Sequence, residues 1–118
     1  MPEDRLTEGL FLPQSIKRNI IVTRLDDFSN SLGVINNRRI DAESAQWIKD
    51  IHIATSNDER PVSTLSGGNQ QKVVLARWLS NRPRIMILNG PTVGVDIGAK
   101  YDIHALLRRL ASEGMAII

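Results

Sequence analysis

No cysteine occurs among the 118 residues, which excludes disulfides and thiolate-held metals. Aromatic side chains make up only 4% of the chain, so aliphatic residues must fill any core. No apolar run approaches the ~20 residues that a membrane-crossing helix needs. The opening Met-Pro-Glu-Asp-Arg lacks the apolar middle of a secretory leader. Excess charge is slight, at +2, and the basic residues are scattered, so nothing points to a nucleic-acid partner. These absences leave a cytoplasmic globular domain as the expectation. Also missing is a Gly-rich loop ending in Lys-Ser or Lys-Thr, the usual cradle for nucleotide phosphates.

What is present reads as alternating helical and extended segments. A helix is predicted from about Gln14 to Thr23, with Ser15 as its cap and Ile16, Ile20 and Ile21 on one side. Residues 26–39 are polar and aperiodic and read as a loop carrying Asp26, Asp27, Arg38 and Arg39. Asp41 is expected to cap a second helix through about His52, with Ala45, Ile48 and Ile51 on one face. The run Gly67 to Ser80 is apolar over most of its girth, which predicts a buried helix. Ile85-Met86-Ile87-Leu88 suits a strand buried on both faces, as in a parallel sheet. Ala99, Ile103, Leu106, Leu107 and Leu110 mark an amphipathic helix ended by Gly114, and Met115 to Ile118 begin another strand. Strand, helix, strand from 85 to 118 is a βαβ unit, and an unfinished sheet of this kind is expected to belong to a larger domain or to be completed by a second copy.

The chemistry concentrates at Leu65-Ser66-Gly67-Gly68-Asn69-Gln70-Gln71-Lys72. Consecutive glycines let backbone amides approach a ligand, and the positive end of the following helix favours an anion by roughly 0.3–1 kcal/mol when exposed. The Ser66 hydroxyl can donate to a phosphate oxygen; equally, a serine before two glycines can simply cap a helix after a turn. Gly98-Ala99-Lys100 lacks the spacing of a phosphate loop. Lys72 and Lys100 read as solvated helix charges, His52 and His104 have no metal-ligand partners at suitable spacing, and Trp47 and Trp78 read as packing residues.

The octet stands among further segments: Pro2-Glu3-Asp4-Arg5, Gly9-Leu10, Ala76-Arg77-Trp78-Leu79, Pro91-Thr92 and Gly94-Val95-Asp96-Ile97-Gly98-Ala99-Lys100. In order and spacing these resemble the second nucleotide-binding domain of the ATP-binding subunits of bacterial sugar importers, of the ribose, xylose and galactose type. The resemblance covers essentially the whole chain. It implies a partial P-loop NTPase-like α/β domain, in which 14–64 form the helical subdomain against the permease. Residues 65–80 would then be the signature loop and its helix, and 85–118 a degenerate Walker B strand, D-loop, helix and next strand. By position Leu65, Ser66, Gly67, Gly68 and Asn69 would meet the γ-phosphate of ATP bound on another domain. Gly94, Val95 and Asp96 would be the loop communicating between sites, and Glu3 would occupy the Q-loop position. The partners implied are permease subunits and a second nucleotide-binding domain, with the membrane reached only through the permease.

Where the family carries Asp and Glu at the strand end, this sequence has Asn89 and Gly90. Asn89 lacks the charge that holds magnesium, and Gly90 has no side chain to act as general base. The phosphate loop would precede residue 1 and the switch region would follow residue 118. Catalytic residues and a resident metal are therefore not expected, nor is tight binding of ATP and magnesium to this chain alone. The alternative expectation is a non-catalytic interaction module, or an inactive remnant, that self-associates or pairs with a full-length ATPase.

Overall fold

A computed structural model of the protein describes residues 9–118. Side chains that accept from their own first helical turn start most of its helices. Ser15 accepts from the Arg18 amide at 3.1 Å and opens α1, Ile16–Ile21. Ile16, Ile20 and Ile21 of that helix are buried, as their spacing predicts. The chain does not then fall into an open loop: a 3-10 stretch, Val22–Phe28, carries it on to Phe28, which is buried under the guanidinium groups of Arg24 and Arg39 at 5.4 and 5.5 Å. This aromatic anchor between two cations and the next helix, from Asn37, trim the loop expected over 26–39 to residues 29–36, which hold only turns and an isolated Ser29–Ile35 bridge.

Helix α2, Asn37–Ile51, starts earlier than Asp41. Asn36 is the cap, its side-chain Oδ1 accepting from the Arg39 amide at 3.2 Å, while Asp41 lies inside the helix and pairs with Lys17 at 2.6 Å. The earlier start lets Ile40 enter the core, and the buried face runs through Ile40, Ser44 and Ile51, with Ala45 exposed. The helix ends at His52, in the left-handed region at φ 57°.

Helix α3, Gly67–Leu79, is the central element, with Val73, Val74, Leu75 and Ala76 fully enclosed. Each of the valine and leucine side chains contributes about 1.5–3 kcal/mol on burial. The short strands β1, Ile85–Met86, and β2, Ala116–Ile117, pair in parallel, with Ile85 opposite Ala116 and Met86 opposite Ile117. Helix α4, Ile97–Ser112, connects them, giving the expected βαβ order. Its end is a Schellman turn: Gly114 at φ 101° donates to the Ala111 carbonyl, and Met115 to that of Leu110.

The strand expected to be buried on both faces is not. Met86 is enclosed with Ile103 and Leu106, but Ile85 and Ile87 are 60% and 65% exposed. Alternate strand residues face opposite ways, and among the described residues only one face has a core against it. No helix of the described residues is long and apolar enough to cross a membrane.

Candidate nucleotide-facing site

The Leu65–Asn69 loop is set by hydrogen bonds to three different parts of the chain. Leu65 donates its amide to the Val62 carbonyl at 3.1 Å, and its own carbonyl accepts from the Gln70 side chain at 3.2 Å. Ser66 Oγ accepts from the Asn69 amide at 3.4 Å and from Asn69 Nδ2 at 2.9 Å. Asn69 Oδ1 in turn accepts from the Ala54 amide at 2.9 Å, just past α2. A hydroxyl has two lone pairs and one proton, so both acceptor positions of Ser66 are used. Its O–H is left to donate, and no described residue takes it. The amides of Gly67 and Gly68 lie in the first turn of α3, where no intrahelical acceptor exists.

Gly68 is a glycine for a further reason: a Cβ there would lie 2.3 Å from that of Ala99. The starts of α3 and α4 therefore nearly touch, and Asp96 completes the junction by capping α4 through the Ala99 amide at 2.7 Å. A cleft of about 320 Å³ opens at this junction, and Ser66, Gly68, Asn69 and Asp96 are among the residues lining it. Lys72 borders it too. It is buried rather than solvated, contrary to the sequence expectation, with Nζ 3.0 Å from Asp102 and 3.2 Å from the His52 carbonyl. Lys100 is exposed as expected.

Leu65, Asn89, Gly90, Gly94 and Val95 are not among the residues lining this cleft. Leu65 packs against the core, while Gly94 and Gly90 turn the chain at φ 70° and 54° between β1 and α4. Val95 is half-buried and Asn89 is exposed. Glu3 lies outside the described residues. Trp47 is half-buried and donates to Glu43 at 3.0 Å, whereas Trp78 is at the surface.

Arg77 emerged from the sequence only as part of a motif, yet it anchors the architecture behind the loop. Only 5% exposed, it donates to the Asn19 carbonyl at 2.7 Å, to Asn19 Oδ1 at 2.8 Å and to the Gly9 carbonyl at 2.5 Å. Asn19 returns the connection by donating to the carbonyls of Phe11 and Ser15, each at 3.0 Å. Burial pushes the Arg77 pKa below its ordinary value. A charged residue in the last turn of the helix, just after the apolar run Val73 to Ala76, was the available signal.

A family model described as ABC transporter matches residues 7–93. The chain belongs to the ABC transporter family. It is 49% identical over 118 residues to the ribose import ATP-binding protein RbsA 1 of Rhizobium johnstonii, covering 100% of this chain and 23% of that protein. Identity is 44% over 123 residues to the xylose import ATP-binding protein XylG of Pseudomonas syringae pv. syringae, again covering 100% of this chain and 23% of the relative. The chain thus spans about a quarter of the length of these curated relatives. Among solved structures, a dimeric ATP-binding cassette in a post-hydrolysis state with ADP and Pi superposes at a TM-score of 0.75 and 22% identity, over 92% of this chain and 46% of that one. A second cassette, in an ADP conformation, gives 0.69 at 17% identity, over 89% of this chain and 44% of the other. These similarities establish the fold as part of an ABC ATPase cassette.

The family implies ATP with magnesium. The Ser66 donor and the first-turn amides of α3 fit a phosphate oxygen. For the metal, the strand end offers Asn89 and Gly90 in place of carboxylates, and the described residues contain no cluster of three or more His, Cys, Asp or Glu suited to an ion.

Proposed function

We propose that this chain is part of the ATP-binding component of a carbohydrate importer, and that it presents Leu65–Asn69 to ATP held by another cassette. The observation that carries this reading is Ser66, a cleft-lining residue whose Oγ accepts from both the main-chain and the side-chain amide of Asn69, which leaves its proton for a ligand. An anionic oxygen is the acceptor such a donor suits, and a hydrogen bond to a charged group contributes about 1.5–3 kcal/mol. Gly94, Val95 and Asp96 form the communicating loop between sites, with Asp96 also fixing the start of α4. Glu3 retains its proposed Q-loop role. Phosphoryl transfer depends on positioning and charge stabilisation, so Asn89 and Gly90 leave the chain without hydrolytic power of its own. The test is association with an ATP-loaded cassette bearing a phosphate loop. Binding that requires ATP and weakens in Ser66→Ala supports the reading, and magnesium-dependent ATP turnover by the pure chain sinks it.

The permease would meet the helical part of the chain, residues 14–64. Phe11, Leu25 and Ile35 are exposed by 55%, 40% and 46% and line an apolar groove of about 410 Å³, with Leu32 and Val34 exposed nearby. In this reading the protein is cytoplasmic, lies at the inner membrane only through the permease, and has no nucleic-acid partner.

One observation favours a second reading, an interaction module that self-associates or pairs with a full-length ATPase. Ile85, Ile87 and Ile118 stand 60%, 65% and 74% exposed on the two-stranded sheet and its end. Light scattering at high concentration decides it: a strict monomer argues against self-association.

A further inference from the structure

We infer that Asn69 is a positioning residue for Ser66: its side-chain amide sets the direction of the serine proton instead of meeting the nucleotide itself. The inference rests on the reading of Ser66 given above.

An asparagine amide has one accepting end and one donating end. Which end faces which neighbour is decided at Ala54, where a backbone N–H must meet oxygen. That N–H lies 2.9 Å from Asn69 Oδ1. The amino end is therefore turned on Ser66, 2.9 Å from Oγ. With the Asn69 backbone amide at 3.4 Å as a second donor, both lone pairs of Ser66 Oγ face Asn69 and its proton is turned away from that residue. Polarity thus passes from a main-chain amide, through one side chain, to the hydroxyl.

The Ala54 amide is a dependable reference because the turn that carries it is held separately. Lys72, one helical turn beyond Asn69, donates to the His52 carbonyl at 3.2 Å and pairs with Asp102 on α4 at 3.0 Å. Ile53, between the two gripped residues, is buried. Asn69 and Lys72 therefore grip the end of α2 from the same face of α3, which gives the Asn-Gln-Gln-Lys sequence a physical reason at its first and last positions.

Asparagine and aspartate differ here in a diagnostic way. Asn69→Asp keeps an oxygen for Ala54 but places a second oxygen against Ser66, so the hydroxyl turns inward to donate. Asn69→Ala frees both the hydroxyl and the Ala54 amide. The experiment uses the full 118-residue chain and a phosphate-loop cassette from the Rhizobium johnstonii ribose import protein, loaded with a slowly hydrolysed ATP analogue. Binding is measured by calorimetry and Ala54 protection by amide hydrogen exchange. Asn69→Asp is expected to weaken binding by about tenfold or more, as Ser66→Ala does. The double variant should bind no more weakly than Ser66→Ala alone, because both changes remove the same donor. Ala54 should stay protected in Asn69→Asp and lose protection in Asn69→Ala.

Wild-type binding by Asn69→Asp beside a weakened Ser66→Ala would overturn the inference alone. Additive losses in the double variant, or equal Ala54 protection in Asn69→Ala and the wild type, would do the same. Unaltered binding by Ser66→Ala, or no nucleotide-dependent binding by the wild type, would remove the reading of Ser66 and the inference with it.

Discussion

Gly68 and Ala99 approach so closely that a Cβ on the glycine would lie 2.3 Å from the alanine Cβ, although 31 positions separate them in a chain of 118. This contact joins the start of α3, with its serine donor, to the start of α4 and its Asp96 cap. Any shift of α4 is felt at the signature-like loop, because packed atoms cannot overlap.

Gly68→Ala should therefore be costly even though alanine is the better helix former. Forcing a methyl group into a filled site costs typically about 1–3 kcal/mol. Ala99→Gly on the same chain should restore most of that loss, after allowing about 1 kcal/mol for a helical glycine. Urea midpoints of both single variants and the pair measure this, and an unchanged midpoint for Gly68→Ala would show that the two helices are not in contact.

Removing the Arg77 guanidinium strips donors from the Asn19 and Gly9 carbonyls and from Asn19 Oδ1. Asn19 Oδ1 keeps the Phe11 amide at 2.9 Å, but a buried carbonyl left without its donor costs about 1–3 kcal/mol. Arg77→Ala should accordingly lose roughly 3 kcal/mol or more, a large part of a typical 5–15 kcal/mol total. Arg77→Lys should recover less than half, since a point-like ammonium cannot reproduce the planar fork. Equal denaturation midpoints for the lysine variant and the wild type would argue against the fork.

The start of α2 separates two asparagine-or-aspartate positions cleanly. Asn36→Ala removes a cap and should cost about 1 kcal/mol. Asp41→Ala removes a carboxylate from an exposed pair with Lys17 and should cost about 0.2–1 kcal/mol. Helix content and thermal midpoint rank them, and a larger loss at Asp41 would place the cap where the sequence pattern had it.

The sheet gives an equally direct contrast. Ile87→Thr changes an exposed side chain and should move stability by no more than about 0.5 kcal/mol. Met86→Ala empties a buried site one residue away and should cost about 2–5 kcal/mol. Comparable losses at both positions would mean that this face is covered in solution.

The features legible in residue order are those whose physics is local. Ser15, Ser66 and Gly114 act on groups three to five residues away, so their neighbours alone reveal them. The enclosed run from Val73 to Ala76 likewise announces a helix that needs partners on every side. Asp41 misled because another good capping residue, Asn36, stood five positions earlier and gave Ile40 its place in the core. The strand at 85–88 misled because an unbroken apolar run records the faces a strand is suited to bury, while the core present against it decides how many it does bury.

The site itself belongs to the tertiary level. Arg77 meets Asn19 at a separation of 58 residues, Lys72 meets Asp102 at 30 and Asn69 meets Ala54 at 15. No local period encodes such pairs. They arise because buried donors and acceptors must find partners wherever packing brings the chain together. Local hydrogen bonding thus made Ser66 a cap, and long-range packing against Ala54 fixed the Asn69 side chain beside it.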